Sequence, residues 1–352
     1  MAAWPNPYLP LLLIAALLAF EDWISTPSCS GGSPGPDPAS GDLRAMMVAD
    51  LMLLGSDATY ADRFFRDLLM SKLITKSIQT TNPDMIIVLG DISAKVSEQN
   101  ESNWIAVLEQ FEGILGQYSS LPLHIVLGDK DVGGCSSLDG KLVHRMAKHL
   151  PELDSSGCGA FEISNISFMS LNAMALLCGD NMLRFSVEKV MEMESHRLQN
   201  GAEHYPLGSE KGQESSAHSW RQNSIISGSG PIILLHIPLH KSDGGVIGVP
   251  LCPEGTFSDY PLTPLSSEQR IIFSAHARSF SDYTHADGTR EVTVPAMTLK
   301  KGRVPDFVIA TFGQKGAVSV KCCSLAQEWY IITGYSAFLF LTALAVRWSH
   351  WM

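Results

Sequence analysis

The chain has 352 residues, enough for roughly two domains at about 150 residues each, or for one large α/β domain with additions. Apolar residues make up 45% and charged residues only 17%, below the roughly 25% of an ordinary soluble domain, which excludes disorder and points to a membrane component. With 36 acidic against 25 basic residues the net charge is −11, and no basic patch offsets it, so an electrostatic nucleic-acid binder is excluded.

The chain begins with an apolar run, 8–20 (YLPLLLIAALLAF), stopped by Glu21 and Asp22. It is shorter than the ~20 residues of a membrane-spanning helix, so 1–24 reads as a signal peptide or as an uncleaved signal anchor. Residues 25–42 are rich in Pro, Gly and Ser and read as a linker. The pattern then predicts a strand at 45–50, a helix over 60–79 and a strand at 85–89 closed by Gly90-Asp91. A helix over 98–115 and a strand at 123–127 closed by Gly128-Asp129 follow, and 161–171 alternates as one strand. The polar stretch 200–230 reads as an insertion or linker. Beyond it come a strand at 232–236 ending in His236 and a short strand at 270–273 near His276. An Asp287-Gly288 turn makes a hairpin of 280–283 and 290–294, and strands at 308–311 and 317–321 complete a sheet edge. Early βα alternation followed by hairpins predicts an α/β fold with mixed sheets.

Residues 329–346 (WYIITGYSAFLFLTALAV) carry no charge and are flanked by Trp329, Tyr330, Arg347, Trp348 and Trp351, the aromatic and basic flanks of a transmembrane helix. The positive-inside rule makes 347–352 a short cytoplasmic tail and places 43–325 in the lumen as the main domain. Asn100 and Asn165 open N-x-Ser sequons in that domain and are its candidate glycosylation sites. The 7 cysteines show no CxxC or zinc spacing. In an oxidising lumen some of them pair, an odd count leaves one over, and the connectivity is not readable.

The strand ends share a chemistry. Apolar strands run into Asp50, Asp91, Asp129 and His236, and His276 follows another. One Asp at such a place is routine as a helix cap, but carboxylates and imidazoles at successive strand ends of an α/β sheet point to convergence on a metal. Oxygen and imidazole donors suit manganese, iron or zinc, ions that commonly serve phosphoester hydrolysis.

The segments VADLMLLG, VLGDISAK, VLGDKDVGG, LLHIPLH and FSAHARSFSDYTH resemble, in order, the five motifs of the calcineurin-like metallophosphoesterases. The flank DYTHADGTREVTVPAMTLKKGRVPDFVIATF is similar to the membrane-anchored branch that removes ethanolamine phosphate from glycosylphosphatidylinositol (GPI) glycans. The resemblance spans 45–315 and implies a four-layer α/β/β/α sandwich, here flanked by N- and C-terminal membrane segments. It further implies that Asp91 bridges two metals and that Asp129, His236 and His276 complete one of the two sites. The other site would take Asp50, Asp91 and two His positions at which this chain has Met52 and Arg278. A thioether is a poor ligand for a hard ion and a guanidinium has no lone pair, so one divalent ion is expected (manganese foremost, zinc or iron otherwise) and the second site reads as lost.

Lys130 stands where the family has the His of GNHD, and Lys130 with Arg278 are the candidate catalytic cations facing a phosphate, Arg278 filling the vacated metal pocket against Asp50. Two readings follow. In one the chain is a metal-dependent phosphodiesterase of the endoplasmic reticulum or Golgi membrane, acting on a lipid-linked glycan phosphodiester in the transport of GPI-anchored proteins. In the other it is a catalytically degenerate lumenal binding or scaffold protein. Asp131 reads as a turn cap, His124 as a packed core residue, and His240 and His285 as surface or supporting groups. The sequence does not say which protein partners the chain has.

Overall fold

A computed structural model describes residues 9–31, 41–94, 101–150, 152–178, 182–200, 231–239, 271–277, 279–299, 304–313 and 316–351. Helix α1 (Leu9–Ser25) leads into β1 (Ser28–Gly31) and β2 (Leu43–Val48). A π-helical segment, Asp62–Asp67, runs straight into α2 (Leu68–Thr81), and β3 (Met85–Leu89), α3 (Glu101–Leu115) and β4 (Leu123–Val126) follow. Short helices α4 (Asp129–Val132) and α5 (Gly140–Ala147) precede the hairpin of β5 (Gly159–Ile163) and β6 (Ile166–Ser170), then α6 (Ala173–Leu177) and α7 (Met182–Asn200). The remaining elements are β7 (Ile232–Leu234), β8 (Ile271–Ala277), β9 (Ser281–Thr284), β10 (Arg290–Pro295), β11 (Asp306–Phe312), β12 (Val318–Ser324) and α8 (Glu328–Trp351).

Two six-stranded mixed sheets form, ordered β1-β12-β11-β2-β3-β4 and β5-β6-β7-β8-β10-β9. In the first, β2, β3 and β4 are parallel; in the second, β6, β7, β8 and β10 are. The period-2 alternation of side chains decides which residues meet across the sheets. Ala45, Met47, Ile87 and Leu89 of the first sheet share one core with Leu234, Phe273, Val292 and Val294 of the second. Their neighbours in sequence, Met46, Val48, Ile86 and Val88, belong to a separate core with Leu73, Trp104, Val107 and Phe111 of α2 and α3. On the outer face of the second sheet, Met169, Ile233 and Ile272 lie in that core as well, together with Val187 and Met191 of α7. Each sheet is therefore covered on both faces, which is why its central strands read as unbroken apolar runs. Burying one such side chain stabilises by about 1.5–3 kcal/mol.

Three local expectations change. The stretch 161–171 is a hairpin, not one strand, because Ser164 and Asn165 take φ of 54° and 63°, the left-handed pair of a tight two-residue turn. Residues 28–31, assigned by composition to a linker, form β1, an edge strand paired antiparallel with β12 and fixed by the Cys29–Cys323 disulfide. The sheet edge is accordingly β1, with β12 one strand in. A second disulfide joins Cys135 to Cys178, and among the described residues Cys158 and Cys322 are free thiols. Asn100, Arg278, His240 and all of the 200–230 insertion except Asn200 lie outside the described residues.

Among the described helices one segment, Glu328–Arg347 of α8, is long and apolar enough to cross a membrane. The 17-residue α1 packs beside it, with the Phe20 ring edge-on to Tyr335 at 5.7 Å and the Tyr335 hydroxyl donating to Glu21 at 3.1 Å. Glu21 and Asp22 pair with Lys72 at 2.6 Å and Lys76 at 2.5 Å, tying α1 to α2. Half-exposed pairs of this kind are worth about 0–1 kcal/mol each, so they orient the helices more than they stabilise them.

Candidate metal centre

The site lies where the carboxyl ends of the parallel strands of both sheets meet. Asp50 follows β2, Asp91 follows β3, Asp129 opens α4 just after β4, His236 follows β7, and His276 is the penultimate residue of β8. Four residues here take left-handed backbone conformations: Asp50, Met52, Asp91 and His276, with φ of 52°, 55°, 53° and 53°. For residues other than glycine such conformations cost about 1–3 kcal/mol each and persist only when neighbouring bonds over-determine them. Two such bonds run between the loops: Asp50 N–H donates to Gly90 O at 3.1 Å and Met52 N–H to Asp91 O at 3.0 Å.

Asp91, Asp129, His236 and His276 each offer one donor atom, and all four atoms lie within 4.8 Å of one another. Asp129 Oδ1 is 3.0 Å from His236 Nε2 and 3.1 Å from His276 Nδ1, the two ring nitrogens are 3.2 Å apart, and Asp91 Oδ1 is 3.4 Å from His236 Nε2. His236 is fully buried and its Nδ1–H donates to the Leu89 carbonyl at 2.7 Å, which fixes the ring and turns Nε2 to the cluster. Two glycines make this approach feasible. A Cβ on Gly90, whose φ is +85°, would collide with the His236 ring, and one on Gly128 would collide with the Asp91 carboxylate.

The charges show what the cluster lacks. Burial lowers the His236 pKa, but the charge of Asp91 and the hydrogen bond to Asp129 outweigh it and raise it to about 10. Burial likewise pushes the Asp129 carboxyl up, and hydrogen bonds from His236 and His276 more than reverse this, holding it well below the usual carboxylate range. Without an ion, a proton on Nε2 supplies the positive charge the carboxylates demand. Burial raises the pKa of Asp50, which stands beside this group and outside it; its Oδ1 is buried without a hydrogen-bond partner. These four donors fit a single divalent ion, since two imidazoles and two carboxylates suit manganese, iron or zinc.

Lys130 enters the same space. Its backbone N–H donates to Asp91 Oδ1 at 2.8 Å and its ammonium to Asp91 Oδ2 at 2.8 Å, with Asp129 Oδ2 at 3.9 Å. Two residues behind the donors have roles beyond those read from the sequence. Asp131 does cap its own turn through Gly128 N–H at 2.9 Å, and it also accepts from Asp91 N–H at 2.9 Å and Ser93 N–H at 3.0 Å, stitching the β3 loop to the β4 loop. Burial raises its pKa to about 7. Glu291 on β10, buried, accepts from Leu239 N–H at 2.7 Å, the Ser274 hydroxyl at 2.8 Å and His285 at 2.8 Å, so it holds the loop that carries His236. The spacing of DKD hints at Asp131; no sequence signal marks Glu291. His124 is fully buried against the Phe161 ring, as its strand position suggests.

No protein-family profile matches the chain. It is 24% identical over 313 residues to Metallophosphoesterase 1 of Mus musculus, covering 84% of this chain and 75% of that protein. The protein of the same name from Danio rerio is 22% identical over 320 residues, covering 86% and 80%. The chain resembles the calcineurin-like metallophosphoesterases. Among solved structures, a dimetal phosphatase from Danio rerio superposes with a TM-score of 0.48 and 15% identity, over 83% of this chain and 98% of that one. The metallophosphoesterase motifs quoted above are the segments whose described Asp and His residues line the site, a correspondence of sequence and geometry.

Proposed function

We propose that the chain is a membrane-anchored phosphodiesterase of the secretory pathway that hydrolyses a phosphodiester on a lipid-linked glycan, removing ethanolamine phosphate from the GPI anchor. The observation that carries the hydrolytic reading is the convergence of Asp91, Asp129, His236 and His276 at the strand ends. The resident ion is manganese in this reading, with zinc or iron as alternatives, and it supplies Lewis-acid polarisation of a phosphoryl oxygen. Asp91 and Asp129 bring the negative charge that retains it, and His236, locked by Leu89 O, presents Nε2. The Lys130 side chain is 31% exposed beside these donors, open enough for its ammonium to meet the remaining phosphoryl oxygens of a bound diester. Arg278 is assigned the same role as a second cation.

The membrane placement is supported by α8, which offers an apolar segment with Trp329 and Tyr330 exposed at one end. In this arrangement 43–325 is lumenal and 347–352 cytoplasmic, and α1 lies against α8. Asn165, exposed at the tip of the β5–β6 hairpin, is accessible for glycosylation, and Asn100 is the second proposed acceptor. The GPI-glycan substrate rests on the flank that resembles the ethanolamine-phosphate-trimming branch.

The test uses full-length protein in detergent, loaded with manganese. Wild type releases ethanolamine phosphate from a GPI lipid that bears it and cleaves a simple aryl phosphodiester, while His236→Ala does neither above the buffer rate. Equal rates for the two proteins on both substrates would remove the hydrolytic reading. Cleavage of the aryl diester alone would remove only the glycan.

A further inference from the structure

The carboxylate that the resemblance makes a bridge between two ions is asymmetric here. Asp91 Oδ1 faces His236 Nε2 at 3.4 Å, inside the cluster of donors, whereas Oδ2 receives the Lys130 ammonium at 2.8 Å. The residues that the resemblance assigns to a second ion do not fit one. Met52, where a His ligand would be expected, offers a thioether, which binds hard divalent ions poorly. Asp50 keeps Oδ1 buried with no hydrogen-bond partner. Its position is anchored, since its N–H donates to Gly90 O at 3.1 Å, and the charged groups acting on it are Asp91, His236, His276 and Lys130. The backbone of Lys130 is held independently by its own N–H bond to Asp91 Oδ1 at 2.8 Å, so both ends of the residue bond to the same carboxylate.

We infer that the Lys130 ammonium occupies the place of the second metal ion, giving a centre built from one divalent ion and one covalently fixed cation that share Asp91. This inference rests on the hydrolytic reading above and specifies how the site is assembled. Arg278 lies outside the described residues, and the ammonium bonded to Asp91 Oδ2 belongs to Lys130, the residue next to the ligand Asp129. A lysine differs from a second metal in its consequences. It holds charge without open coordination positions, so it binds an anionic phosphoryl oxygen and leaves metal-dependent activation to one side of the site. It cannot be removed by a chelator, and it makes the loaded centre less positive by one charge than a two-ion centre.

Metal content per chain decides it, measured by mass spectrometry and elemental analysis on full-length protein in detergent equilibrated with manganese. Wild type should hold one ion, lost in His236→Ala. Lys130→Ala should admit a second, weaker ion between Asp50 and Asp91, and Lys130→Ala with Met52→His should hold two tightly, while Lys130→Arg stays at one. Two ions on wild type, or one ion on the double variant, would overturn the inference and leave the hydrolytic reading intact. No ion on wild type would remove the metal centre itself and the inference with it. Should Lys130→Ala not fold, Lys130→Gln keeps a polar stem without the charge and carries the same comparison.

Discussion

The two sheets contribute to the site in different currencies. The first supplies carboxylates: Asp50, Asp91 and Asp129, in the loops that leave the parallel strands β2, β3 and β4. The second supplies imidazoles, His236 and His276, from β7 and β8. Left to itself the first sheet would gather buried negative charge, with Asp91 wholly inaccessible and Asp50 nearly so. Burying such charges unpaired is prohibitively unfavourable, so a cation must come from elsewhere. Lys130 answers part of that demand from α4, just beyond the first sheet, and the protonated His236 answers part of it from the second. The lesson is that the acidic wall is a scaffold for cations, and the imidazole wall decides which cation takes the centre.

Driving the two walls apart should have the largest effect. Gly90 follows β3 at a φ of +85°, and a methyl group there would meet the His236 ring. Gly90→Ala is expected to destabilise the fold by about 1–3 kcal/mol, through backbone strain and overpacking together. The displaced ring no longer shares an ion with Asp129, so manganese binding should be lost as well. Thermal unfolding with and without manganese checks both parts: wild type gains stability from the ion and the variant does not.

Proton competition sharpens the same contrast. Carboxylates of the first sheet raise His236 of the second from an ordinary 6.5 to about 10 in the ion-free protein. A raised histidine pKa contributes stability that is fully present below pH ~6.5 and is lost as the pH climbs through ~10. An ion must displace that proton, so its affinity should rise about tenfold per pH unit within this window. Calorimetric titration of manganese in buffers of different ionisation enthalpy should report about one proton released per ion. An affinity flat in pH would place the proton elsewhere.

Smaller effects come from the supports. Glu291 is not one of the four donors; it holds Leu239 N–H and Ser274 on the imidazole wall. Glu291→Gln keeps the shape but exchanges an acceptor oxygen for a donor, and metal affinity should fall by roughly tenfold, the lower end for groups behind a metal ligand. The expected signature is weaker manganese binding with an unchanged ion count, which separates a positioning role from a ligand role. Asp131 plays the matching part on the acidic wall, through three backbone N–H groups.

What the sequence discloses follows the same division. The acidic wall is legible because β3 is a fully buried apolar run, β2 and β4 are nearly so, and Gly-Asp pairs follow two of the three, a local signal within a short span of chain. The hairpin of β9 and β10 is legible from Asp287-Gly288. The supports are not, because Glu291 and Leu239 are 52 residues apart and nothing in the neighbourhood of either names the other. Composition also misreads 28–31: the pairing of β1 depends on a partner strand and a disulfide 294 residues away, invisible to any local window. His236 and His276 are legible as residues at strand ends, but their 3.2 Å approach is a property of sheet order, not of spacing.

The smallest expected effect lies at Met52, and its smallness is the point. This residue sits at a position where the resemblance calls for a ligand, takes a left-handed φ of 55°, and is held by its N–H bond to Asp91 O. If the thioether took part in metal binding, replacing it would change ion content or affinity. If only the backbone matters, Met52→Leu keeps the volume and the N–H bond, and metal affinity and diester hydrolysis should both stay within about twofold of wild type, a volume-conserving change costing under about 1.5 kcal/mol. Met52→Gly extends the test, because glycine adopts this φ without penalty and offsets part of the lost packing. A drop of tenfold or more in manganese affinity for Met52→Leu, with the fold intact, would make the thioether a ligand and the two sides of Asp91 more alike than their donor sets suggest.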